Sequence, residues 1–261
     1  MAKQGRLNLE RCGYSMPADA PAYQRPPFYY RGARSIAVAF ETDADAALEV
    51  LPSPLALSEP VIAALSFYEY PWSTFGPYNE AILSLMVEHK GRPLLYIQQI
   101  AVTTEPPMLG GREIWGFPKK LATIEFKSER DMLFGTLERP AGVRLASAIV
   151  RPERPAPQSR SVPRAAVSLR LIPSPEQRAE RPSCAELVEC EAEQRVIEAW
   201  EGEGSMSFAE HSSLDPWDRF SVKRVLSASY LVYDMTLGFG KVIDQLRYVG
   251  AENGTNQDTP R

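Results

Sequence analysis

The chain has 261 residues, 44% of them hydrophobic, with 29 lysines and arginines against 33 aspartates and glutamates and a formal net charge of −4. That is enough to bury a sizeable core in one large domain or two small ones, and the acidic balance lacks the basic patch of a nucleic-acid footprint. No apolar run approaches the ~18 residues of a membrane span, and residues 1–10 have no signal-peptide core, so a cytoplasmic protein with neither membrane nor nucleic-acid partner is expected.

In chain order, residues 1–27 are polar and proline-rich and read as an arm. Residues 35–40 are β-like. Residues 43–50 read as a short helix, with Thr42 or Asp43 as N-cap and Pro52 beyond its end. Residues 81–88 and 93–102 form a strand pair around His89-Lys90-Gly91-Arg92, which puts His89 in a surface turn. Three more strands follow at 122–127, 132–139 and 144–150. The proline-dense stretch 150–163 has no apolar period and reads as a loop or crossover. Strands resume at 167–172, 185–190, 194–200, 205–208 and 222–234, where His211 lies in a loop between the last two. Residues 250–261 are a polar tail expected to lack fixed structure. The 23 prolines, nearly double the ~5% usual share, argue for short elements and defined turns. Cys12, Cys184 and Cys190 are too few for a disulfide framework and are expected to be free thiols. Many short strands at close spacing indicate a barrel or sandwich.

The segment most informative for chemistry is 111–121, Gly-Arg-Glu-Ile-Trp-Gly-Phe-Pro-Lys-Lys-Leu. Lys119 and Lys120 follow Pro118 in apolar, aromatic surroundings. After a proline, two lysines commonly open a solvated helix. In a dry setting they behave differently: each ammonium disfavours charging of its neighbour, and burial disfavours it further. The resulting neutral amine is a nucleophile that forms a Schiff base with a ketone. Burial is the larger expected effect, because Lys120 can point out of a cavity that holds Lys119. There is no Gly-rich phosphate loop, no zinc-spaced His/Cys set and no Gly-x-Ser-x-Gly elbow.

The stretch from Glu113 to Leu121 resembles the active-site segment of the acetoacetate decarboxylase superfamily, a glutamate followed by apolar residues and Pro-Lys-Lys. The similarity extends to Thr42-Asp43, Ala47-Leu48, Val50, Pro52 and Pro54-Leu55. It continues in Leu133-Phe134-Gly135-Thr136-Leu137, Leu171-Ile172-Pro173, Glu198-Ala199-Trp200-Glu201-Gly202 and residues 227–245, and so covers residues 25–247. The resemblance implies an α+β, mainly antiparallel β fold, a cone-like double β-barrel formed by a single domain over 28–249. It implies Lys119 as the Schiff-base lysine, an activation ascribed to acetoacetate decarboxylase itself, with Lys120 as its partner. Glu80 falls on the family's active-site glutamate and is expected to carry the proton transfers. Glu113, Trp115 and Phe117 are expected to line or support the pocket. No metal or organic cofactor is called for, because the lysine supplies the electron sink, and a homo-oligomer is the family habit.

Two positions depart from the decarboxylases. Ala33 stands where they resemble one another in carrying an arginine for the substrate carboxylate, flanked here by Arg31 and Arg34, either of which could substitute through a local bulge. Leu65 stands where they carry a second acid. On those grounds the sequence favours a branch that condenses pyruvate with an aldehyde co-substrate and dehydrates the product. The alternatives are a 3-oxo acid decarboxylase and a non-catalytic barrel that binds a small ligand.

Overall fold

The computed structural model describes residues 2–156, 165–176 and 181–246. Alternation in the first long strand sets the architecture. In β1 (Phe28–Glu41) successive side chains face opposite sides, and buried residues alternate with half-buried or exposed ones along most of its length. A cap comes next: Asp43 accepts from the amides of Asp45 and Ala46 and starts α1 (Ala44–Leu48). There follow β2 (Ile62–Tyr70), β3 (Trp72–Ser73), β4 (Tyr78–His89) and β5 (Arg92–Val102), then α2 (Glu105–Gly110), which runs into a π-helical turn (Gly111–Trp115). The remaining strands are β6 (Lys119–Leu121), β7 (Thr123–Glu129), β8 (Met132–Glu138), β9 (Arg144–Pro155), β10 (Ala165–Ile172), β11 (Cys184–Phe208), β12 (Arg224–Leu237) and β13 (Lys241–Gln245).

The strands pair in the order β10-β5-β4-β2-β1-β12-β11-β9-β8-β7, and β10 also pairs with β11, which closes a ring. Only β10–β5 and β5–β6 are parallel pairs among the described strands; the rest are antiparallel. This is the mainly antiparallel α+β architecture expected from the sequence. Among the described residues no helix is long and apolar enough to cross a membrane.

Alternate residues of the same strands feed two separate cores. One is mostly aliphatic and includes Ile36, Val38, Phe40, Leu65, Leu83, Leu85 and Ala101. The other is rich in aromatic rings and includes Tyr30, Ala33, Tyr70, Tyr78, Ile100, Trp115, Phe117 and Tyr233.

Several sequence expectations are corrected. The three strands read at 185–190, 194–200 and 205–208 are one 25-residue strand, β11, which pairs in succession with β10 and β13, then β12, then β9. Residues 151–155 belong to β9, because β11 supplies their hydrogen-bonding partners; residues 157–164 of the expected loop lie outside the described residues. The high proline content does not shorten the elements, since many prolines lie between strands or near their ends. His89 is not a surface residue. It ends β4, is buried, and has Nε2 3.1 Å from Asp244 Oδ2 on β13. His211 is exposed beside Asp218 in the loop after β11. The expected tail at 250–261 lies outside the described residues.

Candidate active site

The π-helical turn and β6 deliver the lysines. Gly116 closes the turn with φ +74°, a left-handed conformation that favours glycine. A Cβ there would also lie 2.3 Å from Arg170 Cα, so the close packing of the turn on β10 excludes a side chain. The chain then enters β6 in parallel register with β5. Lys119 stands beside Ile100, and Lys120 beside Ala101. Ile100 belongs to the aromatic core and Ala101 to the aliphatic one. Strand alternation therefore sends the two lysines to opposite sides.

Lys119 is buried, with Nζ 2.8 Å from Glu80 Oε2, and both side chains are only 6% exposed. The approach lies off the hydrogen-bonding directions, so Oε2 keeps no well-aligned donor. Glu80 Oε1 accepts from Tyr70 Oη at 3.3 Å. Nζ sits 5.6 Å from the centre of the Tyr78 ring and 5.7 Å from that of Phe117, within the range of cation–π attraction. The stem of Lys119 passes over Gly111, where a Cβ would come within 2.6 Å of its Cδ.

Tyrosines close the site. Tyr70 and Tyr78 face each other across β2 and β4 with ring centroids 4.7 Å apart. Tyr30 packs on Tyr70 at 4.8 Å, and its hydroxyl is 3.2 Å from that of Tyr78. Burial pushes the phenols of Tyr30, Tyr70, Tyr78 and Tyr233 above the ordinary tyrosine value, and that of Tyr68 to about 12. They remain neutral donors around a buried ion pair whose net charge is zero. Removing one member of such a pair typically costs ~3–5 kcal/mol, because the other charge is left uncompensated. Passing the proton from amine to carboxylate removes both charges at once and leaves a neutral amine, which is a nucleophile.

Lys120 does not join this site. Its Nζ is 2.8 Å from Asp215 Oδ1 and also donates to the Leu214 carbonyl, and Asp215 Oδ2 takes Arg139 Nε at 3.0 Å. The other expected site residues divide similarly. Phe117 packs beside Lys119, its ring centre 5.7 Å from Nζ. Trp115 is fully buried behind it, stacked on Phe117 with centroids 5.5 Å apart and donating Nε1 to the Gly238 carbonyl. Glu113 supports the turn: its Oε2 accepts from Tyr23 Oη at 2.6 Å, and its carbonyl accepts from Arg170 Nε. Arg112 donates to the Lys119 carbonyl.

Both arginines beside Ala33 engage partners other than Lys119 and Glu80. The bulge that could have turned one of them inward is present: Tyr30 pairs with Met235 and Ala33 with Tyr233, so Arg31 and Gly32 together oppose Asp234 and β1 carries one extra residue. Gly32 takes φ +61° and donates its amide to Asp234 Oδ1. The bulge places Tyr30 and Ala33 both in the aromatic core. Arg31 folds back onto the Tyr30 carbonyl and the Tyr29 ring. Arg34 pairs with Glu69 and lies over Phe126. Leu65 faces the other core and does not border the site.

The family model described as acetoacetate decarboxylase matches residues 15–246. The chain belongs to the acetoacetate decarboxylase family. It is 35% identical over 236 residues to acetoacetate decarboxylase 2 of Mesorhizobium japonicum, covering 88% of each chain. It is 31% identical to the acetoacetate decarboxylase of Acidiphilium cryptum, over 90% of this chain and 96% of that one. Among solved structures it resembles the acetoacetate decarboxylase of Legionella pneumophila with a TM-score of 0.83 and 29% identity, covering 94% and 99% of the two chains. The enduracididine biosynthesis enzyme MppR, described in complex with pyruvate, shares the fold with a TM-score of 0.74 at 20% identity, over 90% of this chain and 98% of that one. Within this acetoacetate decarboxylase frame, sequence reasoning missed the tyrosine shell, Tyr23 and Asp215. Tyr23 and Asp215 lie 90 and 95 residues from Glu113 and Lys120, and Tyr30 lies 48 residues from Tyr78, so no local spacing signals these contacts.

Proposed function

We propose that the chain is a carbon–carbon lyase that forms an imine between Lys119 and a small oxo acid and releases CO₂ from a 3-oxo acid of the acetoacetate type. The observation that carries this reading is the buried Lys119–Glu80 contact at 2.8 Å inside a shell of neutral phenols. Lys119 Nζ gives a proton to Glu80 Oε2 and attacks the ketone carbon, and water leaves as the protonated imine forms. The bond to the carboxylate carbon then breaks, and its electron pair moves into the imine to give an enamine. The protons of the Lys119 ammonium have by then gone to the departed water and the imine, so Glu80 is a carboxylate again. It relays a proton from a water molecule to the enamine carbon, and the hydroxide so formed adds to the product imine and releases the ketone and the Lys119 amine. Transferring the carboxylate from water into a pocket of neutral donors favours this step, because the negative charge disperses as CO₂ departs.

Named decarboxylases of similar length that match across most of the chain support this choice. The condensation of pyruvate with an aldehyde, favoured on sequence by Ala33 and Leu65, keeps only Ala33 as its support, because Leu65 packs in the aliphatic core, apart from Lys119 and Glu80. A protein with pyruvate and with a condensation product bound shares the fold, at 20% identity. Self-association into a homo-oligomer is part of the proposal and is checked by light scattering on the eluting protein.

Acetoacetate and a pyruvate–aromatic aldehyde mixture are assayed side by side, following CO₂ in one and the ultraviolet absorbance of a conjugated oxo acid in the other. CO₂ release without condensation is the expected result. Condensation without CO₂ release would transfer the assignment to the aldolase–dehydratase reaction.

A further inference from the structure

An oxo acid that forms an imine at Lys119 brings a carboxylate in among the side chains around that lysine, and one of them has to receive it. Arg31 and Arg34 are both engaged elsewhere, and Ala33 offers no polar atom. The β1 bulge instead sets Tyr30 beside Ala33 in the aromatic core that holds Lys119's neighbours Tyr78 and Phe117. Tyr30 Oη and Tyr78 Oη are 3.2 Å apart and buried. The two hydroxyls carry two hydrogens and spend one on each other, which leaves one for an acceptor the pair does not supply. The ring of Tyr78 borders Lys119 Nζ. Both phenols hold their protons because burial disfavours the phenolate.

We propose that the paired hydroxyls of Tyr30 and Tyr78 are the specificity site for the substrate carboxylate, a neutral two-phenol clamp where the family's decarboxylases are expected to use a guanidinium. The inference rests on the imine reading above and adds the residues that select an acid over a plain ketone. A neutral clamp desolvates the carboxylate without pairing it with a full positive charge. It holds the acid less tightly than a bidentate arginine does and leaves its charge free to move into the imine.

The test uses Tyr30→Phe and Tyr78→Phe, each of which keeps the ring and removes one oxygen. Borohydride trapping is run with pyruvate and with acetone, whose adducts differ in mass and which differ only in carboxylate against methyl. Loss of a hydrogen bond to a charged group predicts a rise of about 10- to 100-fold in the half-saturating pyruvate concentration for each variant. The preference for pyruvate over acetone should fall by that same factor, which a merely structural loss, weakening both alike, would not produce. Equal weakening for pyruvate and acetone, or no change for pyruvate, overturns the clamp. Failure of the imine reading shows separately, as no trapping of either ketone in the unaltered protein. Pyruvate affinity by calorimetry then still reads the clamp, and an affinity in Tyr30→Phe equal to the unaltered protein's overturns it.

Discussion

The two cores share strands but not chemistry. β1, β2, β4 and β5 give alternate residues to each, so Leu83 packs among aliphatic side chains while Glu80, three residues earlier, faces the tyrosines. The aliphatic core needs only volume and shape to be stable. The aromatic core holds a buried amine, a carboxylate and several hydroxyls, and each must be matched. Lys119 and Lys120 restate the contrast at one peptide bond: one is buried against Glu80, and the other reaches Asp215 on the far side. Placing a polar site on strands already fixed by a second, apolar core keeps the geometry of the site from depending on its own packing alone.

The comparison breaks most visibly in activity. Glu80→Gln should leave imine formation possible but slow turnover by about 10²–10⁴, the range of general acid–base catalysis; full turnover would remove Glu80 from the chemistry. In the other core, Leu83→Ala should cost ~2–5 kcal/mol of stability in a denaturant titration, with the turnover of the folded fraction intact. A stable Leu83→Ala protein with lost turnover would show that the two cores are not separable in function.

Base should loosen the aromatic core. Unfolded tyrosines ionise near pH 10, whereas Tyr68 holds its proton to about 12. The stability that comes from burying the neutral phenol is therefore complete below pH 10 and is lost as pH rises from 10 through 12. Tyrosinate absorbance for these buried rings should appear together with unfolding followed by circular dichroism; free titration near 10 in a folded protein would contradict their burial. The smallest effect is expected from Lys120→Ala. Arg139 still pairs with Asp215, and a partly exposed ion pair is worth at most ~1 kcal/mol. Trapping at Lys119 should change by less than about fivefold on that scale, and a far larger loss would restore Lys120 to the site.

What was legible in the sequence follows the same division. The β4–β5 hairpin and α1 could be read because a turn and an Asp43 cap punctuate them. β2 escaped notice because it is buried on both faces, so Ile62–Tyr70 shows no clean alternation. The helix at 105–115 was not legible, because two prolines and two glycines leave it without an apolar helical period. β11 looked like three strands because its exposed, charged middle interrupts the apolar pattern. At the site, Lys119 was legible through its motif and Glu80 through spacing along the resemblance. Tyr30, Tyr70, Tyr78 and Tyr233 come from four strands, and only the pairing of β4, β2, β1 and β12 as neighbours brings them together.

The most direct test of the central claim is the position of the covalent adduct. The protein is incubated with acetoacetate or pyruvate, reduced with borohydride, digested and mapped by mass spectrometry. The account predicts a single modified lysine, Lys119; an adduct on Lys120 or any other lysine, or none with any oxo acid, would contradict it.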